Sequence, residues 1–196
     1  VIPEDWKYVK LGNIIQMSKD KSSPPYDNIQ KYVGLENIYS DKICQVEYLS
    51  AENIASITNR FQTGDILYGK LRPNLNKAAL ACFNGICSTE ILALKTNSKS
   101  INKYILYHIK SNKFVEYNVN LSFGTKMPRT SYKIISDYNI PMPPLPEQFA
   151  IAQVLSDTDS LIESLDKLIE KKKNIKKGAM QELLSGKKRL PGFHGD

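Results

Sequence analysis

In the last quarter of the chain, apolar positions recur at alternating steps of four and three. Val154, Thr158, Leu161, Leu165, Leu168, Lys172, Ile175 and Ala179 form a heptad seam with two polar interruptions, Thr158 and Lys172. A second row at sevens (Leu155, Ile162, Ile169, Lys176, Leu183) widens the stripe. The pattern predicts one long helix over 147–185. Such a face cannot be buried against itself, so the helix requires a partner helix. Pro141, Pro143, Pro144 and Pro146 predict an extended linker over 141–146, with Pro146 suited to a first helical turn. Gly186 is the expected C-cap, and Lys187, Lys188 and Arg189 open a basic tail over 186–196. Taken as residues 147–184, the helix is roughly 57 Å long.

Residues 1–140 read differently. Period-two and β-branched runs predict strands over Lys31–Ile38, Ile43–Leu49, Asp65–Leu71, Lys77–Phe83 and Ile86–Leu94, with a last strand over Lys133–Ile140. Gly64-Asp65 and Asn84-Gly85 are turn signals. Ile101 to about Val119 reads as a helix, with Ser98 or Ser100 as N-cap and Ile101, Ile105 and Ile109 on one face. The expected fold class is α+β: a β-rich domain followed by one long coiled-coil helix. At 196 residues the chain has room for one well-cored domain besides that helix.

Charge adds a direction. The net charge is +7, and residues 1–146 hold 18 basic against 12 acidic side chains, so the basic surplus sits in the globular part. A basic domain favours a polyanionic partner, with nucleic acid the usual candidate. The helix is close to neutral but polarised, with five acids and no base from Glu147 to Asp166. Six lysines and one acid follow from Lys167 to Lys177. A helix dipole orders only the terminal turns, so the split over the whole length points to a partner. Antiparallel pairing about Leu165 sets Glu163 by Lys167, Asp159 by Lys171, Asp157 by Lys173, and Thr158 opposite Lys172. The expected pairing is therefore an antiparallel coiled coil, with a second copy or with an equivalent helix elsewhere.

Catalytic chemistry is scarce. His108 and His194 have no carboxylate or cysteine at metal-ligand spacing, and there is no Walker loop, GxGxxG or GxSxG. No metal and no cofactor are expected. Ser23-Pro24-Pro25-Tyr26 is similar to a motif of amino-methyltransferases, yet no glycine-rich cofactor turn accompanies it. Cys44, Cys82 and Cys87 form no framework and read as reduced residues of a cytoplasmic protein. No run reaches the ~20 apolar residues of a membrane span. The first residue is not methionine, so cropping or processing is expected there. Recognition chemistry clusters in two loops, each rich in groups that bond base edges or phosphate. Lys70, Arg72, Asn74, Asn76 and Lys77 stand in the first; Thr125, Lys126, Arg129, Thr130 and Tyr132 stand in the second, beside Gly124. Lys19–Ser23 is a weaker third candidate.

Several motifs together resemble a known family. Trp6…Lys10-Leu11-Gly12-Asn13-Ile14, Tyr32-Val33-Gly34-Leu35-Glu36-Asn37-Ile38, Gly64 through Pro73, Gly124 through Arg129, Pro144-Leu145-Pro146-Glu147-Gln148 and Leu190-Pro191-Gly192-Phe193 span nearly the whole chain. They are similar to one half of the specificity subunit of a type I DNA restriction-modification system. The resemblance implies a non-catalytic, DNA-binding subunit made of a target recognition domain and one spacer helix. It implies double-stranded DNA as ligand, methyltransferase subunits as partners that use S-adenosylmethionine, and a restriction and motor subunit that can join them. That subunit is similar to two tandem copies of this unit, whereas this chain holds one. It is expected to be a natural half-subunit or a fragment, and as a homodimer it would read a gapped inverted repeat. The other readings are an interaction module that recruits a partner through the helix without reading DNA, and an enzyme that itself binds S-adenosylmethionine.

Overall fold

Three strands with unbroken apolar runs organise the domain. The computed structural model describes residues 3–27, 30–44 and 46–193 and divides by contacts into two units, Val1–Ala152 and Gln153–Asp196. In the first unit, β7 (Ile66–Gly69), β8 (Ala78–Leu80) and β10 (Ile91–Thr96) join β2 (Ile15–Met17) in an antiparallel sheet of order β2-β10-β7-β8. Side chains alternate between its faces. Ile66, Tyr68, Leu92 and Leu94 pack with residues of α1 (Asn102–Lys110), α2 (Asn112–Leu121) and α3 (Tyr132–Ser136). Leu67, Ala79, Ile91 and Ala93 pack on the opposite side with Val33, Phe61 and Cys87 of a second sheet. A sheet buried on both faces needs apolar residues at consecutive positions, which explains the runs.

The second sheet has the order β3-β6-β9-β4-β5, formed by β3 (Lys21–Ser22), β4 (Lys31–Val33), β5 (Leu49–Ser50), β6 (Thr58–Phe61) and β9 (Gly85–Cys87). β4 and β9 run parallel; the other pairs are antiparallel. A two-stranded ribbon joins β1 (Lys7–Lys10) to β11 (Asn139–Met142), the strand that enters the final helix, α4 (Leu145–Leu184).

Several expectations are corrected. Lys133–Ile140 is not one strand: Ser131 caps α3, its hydroxyl accepting from the Ile134 amide, and the strand begins only at Asn139. The helix expected over 101–119 breaks at Ser111, whose hydroxyl accepts from the Phe114 amide and starts α2. Neither serine proposed as cap of α1 fills that place; Ile101 does, and its amide donates to the side chain of Gln148. Ile86–Leu94 divides at a turn over Ser88–Glu90, where the Ile91 amide donates to the Ser88 carbonyl. Lys31–Ile38 is a strand only to Val33 and then a 3₁₀ turn, Leu35–Asn37. Among the described residues of Ile43–Leu49, only Leu49 lies in a strand, β5. The Ile43 carbonyl instead accepts from the Leu80 amide, Val46 bridges to Ile38, and Gln45 lies outside the described residues. Gly64 has φ +89°, as its turn requires. Gly85 is needed for close approach instead, because a Cβ there would meet the Lys31 carbonyl at 2.6 Å. α4 starts at Leu145, two residues before Glu147, so the stretch expected as linker is partly strand and partly helix.

The opening turns of α4 belong to the first unit and are tied into it by polar bonds. Gln148 is 2% exposed. Its Oε1 accepts from the Ile101 amide at 3.1 Å, and its Nε2 donates to the Pro143 carbonyl at 2.9 Å and the Lys99 carbonyl at 3.3 Å. Next to it, Trp6 Nε1 donates to Glu147 Oε2 at 3.0 Å. Along Gln153–Leu184 the seam residues Val154, Leu161, Leu165, Leu168 and Ile175 are 48–65% exposed, and Ala179 is exposed too. Glu163 and Lys167 pair within the helix at 2.8 Å. The Thr158 hydroxyl donates to the Val154 carbonyl, which satisfies one polar interruption internally. Gly186, at φ +72°, follows the helix end. His194 lies outside the described residues.

Candidate nucleic-acid interface

The two recognition loops, more than forty residues apart in sequence, form one surface. β7 leads through Leu71 into a 3₁₀ turn, Pro73–Leu75, and the second loop folds back as a short ribbon in which Phe123 and Arg129 exchange both backbone hydrogen bonds. Leu71 bridges to Arg129 from the other side. The Arg72 amide donates to the Pro128 carbonyl at 2.7 Å, and the Thr130 amide donates to the Lys70 carbonyl at 3.0 Å. Leu71, Arg129 and Phe123 thus stand as cross-strand neighbours in one row.

The backbone here is held in uncommon conformations. Arg72 and Asn76, on either side of the 3₁₀ turn, have φ of +52° and +45°. A non-glycine residue there costs of order 1 kcal/mol or more and persists only where neighbours determine it. The bond to Pro128 and the turn bond from the Leu75 amide to the Arg72 carbonyl hold Arg72 in place; the Asn76 amide side chain donates to the Lys110 carbonyl at 3.0 Å.

The ten candidate side chains divide into two groups. Arg72, Asn74, Thr125 and Lys126 are exposed, while Lys70 and Arg129 are half-buried at the surface. The other four are engaged within the domain. Asn76 bonds as described, Lys77 Nζ donates to the Leu35 carbonyl at 2.6 Å, and the Tyr132 hydroxyl donates to the Ile15 carbonyl at 2.9 Å. Thr130 is 1% exposed, its hydroxyl donating to Asn118 Oδ1 at 2.7 Å. Both loops lack acids, so their lysines and arginines give an uninterrupted positive segment.

The acid that meets them comes from elsewhere. Glu90, in the turn between β9 and β10, accepts from Arg129 Nε at 3.1 Å, and its backbone carbonyl accepts from the Lys70 amide at 2.8 Å. Sequence alone does not mark it, because Ile86–Leu94 reads as one strand through it. Phe123 and Met127 of the second loop, 58% and 44% exposed, are apolar residues of this surface outside the ten candidates. The third candidate, Lys19–Ser23, is not brought to this surface. Asp20 lies 3.9 Å from Lys95, at the other end of β10 from Glu90, and Arg60 donates to the Ser22 hydroxyl.

Elsewhere the polar groups are structural. The Tyr26 hydroxyl of the Pro-Pro-Tyr segment is buried within hydrogen-bonding distance of the Ser22 and Ser56 carbonyls and Thr58 Oγ1. His108 packs edge-on against Tyr104, and burial pushes its pKa down to about 4. Among the described residues no group of three or more His, Cys, Asp or Glu could hold a metal ion, and no helix is long and apolar enough to cross a membrane.

Comparison with known proteins gives a consistent result. The family described as type I restriction modification DNA specificity domain matches residues 3–175. The specificity subunit of the type I restriction enzyme EcoDI of Escherichia coli is 27% identical over 86% of this chain and 38% of its own length. A putative type I restriction enzyme MjaX specificity subunit of Methanocaldococcus jannaschii is 30% identical over 94% of this chain and 46% of its own. The chain therefore spans less than half the length of these curated relatives. The crystal structure of the HsdS subunit from Thermoanaerobacter tengcongensis shares the fold, with a TM-score of 0.73 at 21% identity over 100% of this chain and 52% of that one.

Proposed function

The chain belongs to the type I restriction modification DNA specificity domain family, and on that footing we propose that it reads one half of a split DNA site. It performs no chemistry itself. It docks methyltransferase subunits that modify the DNA, and a restriction and motor subunit can join that assembly. The observation that carries this reading is the single basic surface made by loops 70–77 and 122–132, whose own residues include no acid, on a sheet buried on both faces. Rigid scaffolds with polar loops are the usual means of recognition. Lys70, Arg72, Asn74, Thr125, Lys126 and Arg129 contact DNA, while Asn76, Lys77, Thr130 and Tyr132 set the loop shapes.

α4 supplies the second half of the proposal. Its exposed seam and its acid-then-base layout fit an antiparallel partner helix, from a second copy or from an equivalent segment. Two copies so paired would present identical domains to an inverted repeat. A random duplex pool incubated with the chain and a methyltransferase partner tests the reading: enrichment of a gapped motif supports it. A pool without any motif leaves only an interaction module built on the helix.

A further inference from the structure

Among the described residues of the two loops, Arg129 is the arginine whose guanidinium is braced by a carboxylate. We propose that Arg129 reads a guanine through its terminal amino groups and that Glu90 is the positioning residue that aims it; this rests on the DNA-reading function proposed above. Three constraints hold the guanidinium. Its backbone is bridged on both sides, to Phe123 and to Leu71. Its Nε donates to Glu90 Oε2 at 3.1 Å, and its Nη1 donates to the Met127 carbonyl at 3.3 Å. Glu90 is itself fixed: its amide donates to the Ser88 hydroxyl at 3.2 Å, and its carbonyl accepts from the Lys70 amide.

A guanidinium carries five donors in a planar fork. With Nε and one Nη1 proton committed, one Nη1 proton and two Nη2 protons remain, enough for an edge of two adjacent donors. Such an edge matches the O6 and N7 acceptors of guanine in the major groove. A phosphate could take the same donors, but a residue serving only a phosphate gains nothing from an adjacent carboxylate, which repels the backbone. Arg72 and Lys126 are exposed with no acid bonded to them among the described residues, as suits phosphate contacts. Arg129 and Glu90 are 38% and 31% exposed at their side chains, so the braced fork is partly shielded yet reachable.

The two roles make opposite forecasts for removal of Glu90. If the carboxylate aims Arg129, Glu90→Ala frees the fork and flattens one guanine column by about ten- to a hundred-fold. The same change tightens non-specific binding, because a negative charge leaves the surface. Glu90→Gln keeps an acceptor for Nε and holds the column within about threefold of wild type. Arg129→Lys keeps the charge but not the fork, and also loses the column.

The experiment is enrichment from a random duplex pool with the full chain and its methyltransferase partner, for wild type, Glu90→Ala, Glu90→Gln and Arg129→Lys, with thermal melting alongside. The expected result is loss of one guanine in Glu90→Ala and Arg129→Lys and its retention in Glu90→Gln. A wild-type motif that passes unchanged into Glu90→Ala overturns the inference while leaving the DNA-reading function standing. Equal loss at every position, with a lowered melting temperature in both Glu90 variants, overturns it in favour of a purely structural ion pair. No motif from the wild type overturns both.

Discussion

Gln148 ties the start of α4 to the domain, and its removal has a calculable effect. The side chain is buried, and it joins the Ile101 amide and the buried Pro143 carbonyl. Its third bond, to the Lys99 carbonyl, lies at an exposed residue and counts for little. Each of the two inner bonds is worth about 1 kcal/mol net, and leaving the Pro143 carbonyl unpaired adds about 1–3 kcal/mol. Gln148→Ala should therefore destabilise the domain by about 3–5 kcal/mol. With a urea m-value of ~2 kcal/mol/M, the midpoint moves down by about 1.5–2.5 M. Trp6 is the one tryptophan of the chain and bonds the neighbouring Glu147, so its fluorescence reports this junction directly. Gln148→Glu adds a second check. At neutral pH it sets a carboxylate against the Pro143 carbonyl, where desolvation and repulsion raise its pKa in the folded state. The folded form then binds the proton more readily than the unfolded one, so the deficit shrinks as pH falls from 7 towards 5. A midpoint shift below about 0.5 M in Gln148→Ala, or a deficit in Gln148→Glu that ignores pH, would show that Gln148 does not anchor α4 through these bonds.

Arg72→Ala and Lys126→Ala should each weaken duplex binding and lower the slope of log affinity against log salt by about 0.9, as read by titration at several salt concentrations; unchanged slopes would show that these loops do not meet DNA. Leu165→Asp places two carboxylates at the centre of the proposed antiparallel pairing and should weaken self-association by about a hundredfold in sedimentation equilibrium, with Trp6 fluorescence unchanged. A variant that sediments like wild type would exclude that pairing. Burial holds His108 near pKa 4 against the ordinary 6.5, so the unfolded chain takes up a proton across that window that the folded chain refuses. Wild type should lose up to about 3 kcal/mol relative to His108→Gln as pH falls from 6.5 to 4, and parallel melting curves would contradict this.

How far the sequence reading reached follows from which forces decide each element. β7 and β8 are legible because burial on both faces leaves an unbroken apolar signature, whereas the run Ile86–Leu94 hides the turn that separates β9 from β10. The long helix was legible because its stripe repeats over many turns, whereas its start was not, since Leu145 enters the helix ahead of Pro146. The Lys133–Ile140 run reads as a strand by its β-branched residues, but the cap from Ser131 outweighs that weak propensity. In the candidate site, residue types single out two loops that the fold brings together. They could not separate the exposed Lys126 from the buried Thr130 four residues away, because that depends on Asn118 arriving from another helix. Glu90 was invisible for a similar reason: its partner Arg129 stands 39 positions away.

The central claim is that the paired loops read sequence in DNA. Enrichment of a random duplex pool by the chain with its methyltransferase partner measures that directly. The expected product is a motif of two inverted half-sites separated by a fixed gap, with at least one guanine column lost in Arg129→Ala. A pool that stays random, or a motif indifferent to substitutions in loops 70–77 and 122–132, would contradict it.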